Sequence, residues 1–251
     1  MQKEATYAII FMQIPYGGKI MNNLPDYIEQ TRIPAQTPDS IVENGAVHFG
    51  TFDMPFKAIN LLDTVKPCGP KMPDCMKASR LTEWEAFEVH MDEGALISAV
   101  YKTGPMGFSI FVWYDKKENK IYSWRNLVPK KKSRVAAQLV DDYCYLKTKH
   151  SEYKIENDFL NGKAHAKGFT KGKNGEFSID ISFDRISPLA NGVMPLGKNK
   201  DGSFRNALYS EKDFFKATGT ITINGKAYVT NERSVGIIDD HKGFYPFNAH
   251  Y

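Results

Sequence analysis

From Thr82 to Phe183 the chain alternates, and that alternation restricts its fold more than any other feature. Glu83-Trp84-Glu85-Ala86-Phe87-Glu88-Val89-His90-Met91 sets polar or charged residues against apolar ones at every second place. This is the signature of a strand with one wet face and one dry face. Ala95 to Lys102 reads as its partner across the glycine-bearing loop Asp92-Glu93-Gly94. Segments 108–114, 120–128, 142–148, 153–160, 164–170 and 176–183 continue the series, with Asn161-Gly162 and Asn174-Gly175 as tight-turn signals. Eight strands at roughly 10-residue spacing, with no helix signal between them, predict an all-β, up-and-down antiparallel barrel over 79–186. Closure of such a barrel removes its sheet edges and leaves room for one small ligand.

The flanks read differently. Residues 1–78 form an irregular leader, broken by Pro15, Pro25, Pro34 and Pro38, with one short strand expected near Tyr7 to Met12. Phe49, Phe52 and Phe56 would be costly to leave in water, so 45–63 reads as an aromatic arm laid across something. Ser187 to Arg205 is rich in Pro, Gly, Asn and Lys and reads as a linker loop. Beyond it, 217–223 and 226–238 pair across Asn224-Gly225, which reads as the first hairpin of a second, incomplete β-domain over 187–251.

At 251 residues, with 42% hydrophobic and 25% charged residues, the chain buries a core without needing staples. The net charge of +4, from 33 basic and 29 acidic residues, is too balanced to announce nucleic acid or membrane binding. Lys130, Lys131, Lys132 and Arg134 form one basic run, read as a solvated turn against the alternative of a phosphate-binding arm. No aromatic stacking platform accompanies it. Cys68, Cys75 and Cys144 match no zinc spacing and read as free thiols of a reducing cytoplasm. The apolar run from Ala8 to Ile14 lacks a cleavage site, and no run reaches the ~18 residues of a membrane span.

The densest chemistry lies in Gly236 to Phe247, GIIDDHKGFYPF. On an extended strand Asp239 and His241 share a face, and Asp240 takes the other. A carboxylate beside an imidazole can fix its tautomer and make a general base, so Asp239, Asp240 and His241 are the catalytic candidates. The competing reading is an Asx turn that Lys242-Gly243 completes. No metal is expected, since no HExxH occurs and His241 and His250 are too far apart for a helical pair. No cofactor is expected either, because the glycine-bearing stretches lack a strand-to-helix context.

Trp84, Glu85, Trp124, Arg125 and Tyr245 are the substrate-binding candidates. Glu85 falls on the apolar side of its strand with Phe87 and Val89, where a carboxyl rises in pKa unless it is paired. That is how a general acid is made, and an ion pair with Arg125 is the structural alternative. Tyr122 and Trp124 share one face while Ser123 and Arg125 take the other; an arginine turned into a barrel needs a carboxylate or an anionic ligand. Core packing is the alternative for Trp113 and Trp124. His90 and His165 read as polar surface or core residues.

FGTFDMPFKAINLLD, SRLTEWEAFEVHM, MPLGKNK followed by ALYSEKDFFKATG, and GIIDDHKGFYPF occur in that order. Together they resemble the bacterial family named domain of unknown function 2804. The family is distantly similar to two-barrel, lipocalin-like proteins that include carotenoid hydratases and some polyketide cyclases. The resemblance implies a lipocalin-like barrel that holds an apolar or amphipathic small molecule, with a hydratase-like lyase or isomerase as the alternative to a binder. In that family the DDHKG block is followed by an aspartate-tryptophan and about a hundred further residues, enough for one more domain. Here the sequence stops at Tyr251, which implies a truncated form or a split product whose second half sits on another chain.

Overall fold

The structure, a computed structural model, describes residues 34–189 and 191–246; the strand expected near Tyr7 lies outside them. β1 (Val42–Glu43) and β2 (Ala46–Val47) form a small ladder of their own. β3 (Gly50–Phe52) follows, and then the seven-residue helix α1 (Asp74–Arg80), too short to show a helical period in the sequence. The first alternating segments become a meander of β4 (Thr82–His90), β5 (Gly94–Thr103), β6 (Met106–Asp115) and β7 (Lys120–Pro129). A single 3-10 turn at Lys130–Lys132 takes up the basic run and leads into β8 (Ser133–Arg134). A second meander follows in β9 (Asp142–Lys147), β10 (Ser151–Asp158), β11 (Lys163–Gly172) and β12 (Gly175–Arg185).

The stretch expected to be a linker loop is instead paired. β13 (Asn191–Lys198) and β14 (Phe204–Glu211) form a ladder within it. Only Asn191–Val193 of β13 pair with β3, so Pro195 sits where that edge of the strand has no partner, the position a proline tolerates. β15 (Phe214–Ile223), β16 (Lys226–Val229) and β17 (Val235–Gly243) are the last of the described strands. Asn224 and Gly225 both take left-handed φ, 51° and 82°, the twist that a two-residue hairpin loop requires.

The strands lie in the order β7-β6-β5-β4-β17-β15-β12-β11-β10-β9-β8, a nearly closed antiparallel barrel. The hairpin expected to open a second domain therefore lies inside this one sheet. β15 pairs with β12 along its length and β17 pairs with β4 along all nine of its residues, so the two strands join the meanders. At the opposite seam Asn126 Nδ2 lies within 3.3 Å of the hydroxyls of Ser109, Ser151 and Thr170, and Trp124 Nε1 donates to Gly175 O. Inside, Phe87, Phe111, Trp113, Tyr153, Phe177, Phe183 and Phe215 are fully buried. Phe87 stacks on Phe183 with ring centres 4.2 Å apart. Gly236 leaves space for that ring, since a Cβ there would stand 2.5 Å from Phe183.

β17 is where the sheet forks. Its first residues, Val235–Ile237, pair with β15, whereas Asp240–Gly243 pair with β14. An outer sheet of β14, β13 and β3 thus springs from the barrel wall. It covers a second core containing Phe52, Phe56, Val193, Tyr209 and Phe244, so the aromatic arm packs as its composition demands.

The outer face of the barrel is chemically divided. Outward positions on β5 and β6 are Ala95, Ile97, Ala99, Tyr101, Thr103, Met106, Phe108, Ile110, Val112 and Tyr114, without one charge among them. On β10 and β11 the outward positions include Glu152, Lys154, Glu156, His165, Lys167 and Lys171, as an ordinary solvated face would.

Candidate functional site

An open cleft of about 500 Å³ lies where the apolar half of the outer face meets β17. Its walls are Thr82, Trp84, Tyr101, Thr103, Asp239, His241, Tyr245 and Pro246. Pairing register builds it. His241 stands opposite Trp84, Trp84 opposite Tyr101, and Tyr101 opposite Phe108, one cross-strand row from β17 to β6. The Trp84 and Tyr101 rings are 5.2 Å apart, and Tyr101 stacks on Phe108 at 4.4 Å with an interplanar angle of 7°. Such rows form because directly opposed side chains on neighbouring strands touch.

The polar end of the cleft is a row of closely spaced polar groups. Lys212 pairs with Asp239 Oδ1, and His241 Nε2 lies 2.9 Å from the same oxygen. His241 Nδ1 lies 3.5 Å from the Tyr245 hydroxyl. The Asp239 carboxylate and the Tyr245 hydroxyl thus stand at the two nitrogens of one imidazole. Burial works against the Asp239 charge, but the bonds from His241 and Lys212 outweigh it and hold the carboxyl down to about 2. The group is thus an anion throughout the physiological range. The turn reading of Asp240-His241 is replaced by regular strand, since both residues lie within the β17 ladder.

Four of the eight sequence candidates meet here: Trp84, Asp239, His241 and Tyr245. Asp240 and Glu85 stand directly opposite each other on the inward face, fully buried, with the sheet between them and the cleft. Burial, followed by the charge of Asp240, pushes Glu85 up to about 7. Arg125 does not reach it. Arg125 is exposed on the outside of β7, and Glu85 instead accepts from Asn157 Nδ2 at 2.9 Å. Trp124 packs in the barrel core, 4% exposed, with its indole proton spent on Gly175. Sequence reading missed Tyr101, whose alternation signal was present but uninterpreted, and Lys212, which lies between the alternating segments.

Clefts of about 400 to 560 Å³ also open elsewhere on the outer surface, while the barrel interior is occupied by its own aromatic rings. Among the described residues no group of three or more His, Cys, Asp or Glu side chains is placed to hold a metal ion. None of their helices is long and apolar enough to cross a membrane. No family model matches the chain, and no characterised protein matches it in sequence.

Proposed function

We propose that the protein binds an amphipathic small molecule in the outer cleft. The apolar body would lie along Trp84, Tyr101 and Phe108, with a hydroxyl or carbonyl head at His241 and Tyr245. The observation that carries this reading is the single cross-strand row joining His241 to the aromatic stack. Ligand pockets combine a largely apolar lining with a few convergent polar groups, and this row supplies both at once. The resemblance to the domain of unknown function 2804 family, which implies a bound apolar or amphipathic molecule, points to the same class of ligand. Its four sequence blocks supply β3, β13–β14, β17 and β4, which are successive neighbours in the sheet. A cytoplasmic setting, suggested by three free cysteines, belongs to the same proposal.

A second reading rests on the Asp239–His241–Tyr245 chain. With Asp239 orienting the imidazole, His241 Nδ1 can take the Tyr245 phenolic proton, so that the phenol acts as acid or base toward a bound hydroxyl. That is the proton transfer a hydratase-like lyase or an isomerase needs.

The test is a calorimetric titration of isoprenoid alcohols and polyketide-like phenols against the protein and its Trp84→Ala and His241→Ala variants. Saturable binding weakened by both changes supports the cleft. Binding that ignores both overturns it. Turnover that disappears in Tyr245→Phe while affinity stays would favour the catalytic reading.

A further inference from the structure

The charge of the chain is spread unevenly. Residues 116–134, which cover the β6–β7 turn, β7 and the run into β8, hold eight of the 33 basic residues and one of the 29 acids. The remainder, with 25 bases against 28 acids, is slightly acidic. Asp115, just before this stretch, is fully buried and engaged by the amides of Lys117 and Glu118 and by the Tyr228 hydroxyl. The near-balance of the whole chain therefore conceals one strongly basic hairpin.

β7 stands at one end of the strand order, and its pairing with β6 sets which of its residues face out. Ile121, Ser123, Arg125, Leu127 and Pro129 form the outward row, and each is exposed. Ile121 keeps 57% of its exposure and Leu127 54%. Two aliphatic side chains about 20 Å apart along the strand thus stand in water with an arginine midway between them. Lys116, Lys117 and Lys120 lie at the Ile121 end, and the 3-10 turn Lys130–Lys132 follows Pro129 at the other.

Part of this charge is engaged locally. Lys116 donates to Met91 O, Lys120 lies over the Tyr122 ring, Lys130 donates to Ala78 O, and Arg134 pairs with Asp142. The neighbouring acids have partners as well: Glu118 accepts from the Tyr122 hydroxyl, Asp92 pairs with Arg233 and Glu83 with Lys102. Among the described residues Lys117, Arg125, Lys131 and Lys132 make no ion pair, and all four are exposed. Exposed aliphatics between such cations suit an anionic lipid surface, where the apolar groups enter the headgroup layer and the cations stay among the phosphates. A nucleic acid would leave Ile121 and Leu127 without a partner. Leu127 also stands opposite Phe108, so it ends the cross-strand row that runs through Tyr101 and Trp84 to His241.

We propose that the outward face of β7, with the basic turns at its two ends, docks the protein on an anionic lipid surface. Ile121 and Leu127 enter the headgroup layer, and Lys117, Arg125, Lys131 and Lys132 hold the lipid phosphates. The docking rests on β7 alone and stands apart from the ligand reading of the cleft.

The test is co-sedimentation of the whole chain with vesicles of phosphatidylcholine, alone or with about one-third phosphatidylserine, over about 50 to 500 mM salt. Binding is expected to the anionic vesicles only and should fall as salt rises. Lys131→Gln/Lys132→Gln should weaken it about 25-fold, at about fivefold for each charge near the surface. Ile121→Ser/Leu127→Ser should weaken it at every salt concentration. Lys200→Gln/Lys216→Gln, which removes two exposed lysines outside this hairpin, should change it by less than about twofold. No binding to anionic vesicles, equal binding to neutral ones, or an equal loss in that control pair would overturn the proposal. So would a dimer in light scattering that Ile121→Ser/Leu127→Ser makes monomeric, which would give the face to a second copy of the chain. Should a variant fail to fold, the lipid selectivity and salt dependence of the wild-type protein decide.

Discussion

Two aspartates of β17 point to opposite faces, each paired with a lysine, and they behave as opposites. Outside, Lys212 pairs with Asp239 at the rim of the cleft, where the aspartate side chain keeps a quarter of its exposure. Inside, Lys242 pairs with Asp240, which keeps none. The outer carboxyl is held down to about 2. The inner one is raised, because burial outweighs the lysine beside it. Lys242 itself is pushed up to about 12, since Asp240 and Glu85 outweigh its own burial. A partner at 2.9 Å therefore does not fix the state of an aspartate; the water that remains does. One strand uses this to present an ionised, partly wet pair to a cleft and to hide a proton-bearing cluster behind it.

Breaking the inner pair should produce the largest effect. Lys242→Met leaves Asp240 and Glu85 without their cation, and removal of one partner from a buried pair costs about 3–5 kcal/mol. Urea denaturation near pH 7 measures it. A loss below about 1 kcal/mol would place the inner pair in the energetic class of exposed ion pairs and erase the contrast.

The same contrast explains what was legible in the sequence. The strands of both meanders were readable because each has one wet and one dry face, and their observed bounds fall within about two residues of the pattern. The split of Asp239 and His241 from Asp240 followed from the same period. Glu85 announced itself as a carboxyl among Phe87 and Val89. Glu211 and Asp213 did not, because Ser-Glu-Lys-Asp reads as a polar turn and only the fork of β17 turns two of its acids inward. β13 and β14 were hidden for a related reason. Their residues alternate poorly, Pro195 and Gly197 mimic a loop, and Asn206 takes a left-handed φ of 57° within the strand. A ladder whose register is set by distant strands leaves little periodic trace.

The cleft supplies the next largest difference. Trp84→Ala removes the ring between His241 and Tyr101, and loss of an aromatic contact worth about 0.5–1.5 kcal/mol should weaken binding of an isoprenoid or phenolic probe by up to tenfold. Stability should change less than for Lys242→Met, because Trp84 is outside the barrel core. Calorimetry and denaturation on the same variant separate the two readouts.

Acid and alkali should act on the two faces separately. The Asp239 carboxyl is lowered from its ordinary value, so its contribution is complete above about 3.8 and fades as pH falls towards about 2. Glu85 and Glu211 are raised, so theirs is complete below about 4.5 and fades as pH climbs through about 7 and 8. Asp239→Asn should therefore lower the melting temperature at pH 6 but not near pH 2, leaving the alkaline limb intact. Glu211→Gln should flatten the alkaline limb and leave the acid limb alone. A variant that moved both limbs would mean that the two faces titrate as one.

The smallest effect belongs to Lys212→Met, the outer counterpart of the first substitution. Its ammonium is half exposed and Asp239 keeps His241 as a second partner, so stability should shift by no more than about 0.5 kcal/mol. The Asp239 carboxyl should move up towards its ordinary value, because one of the two bonds that hold it down is gone. Carboxyl NMR reads that movement directly. An unmoved titration would assign the depression to His241 alone, and then His241→Ala, rather than Lys212→Met, is the substitution that releases the outer aspartate.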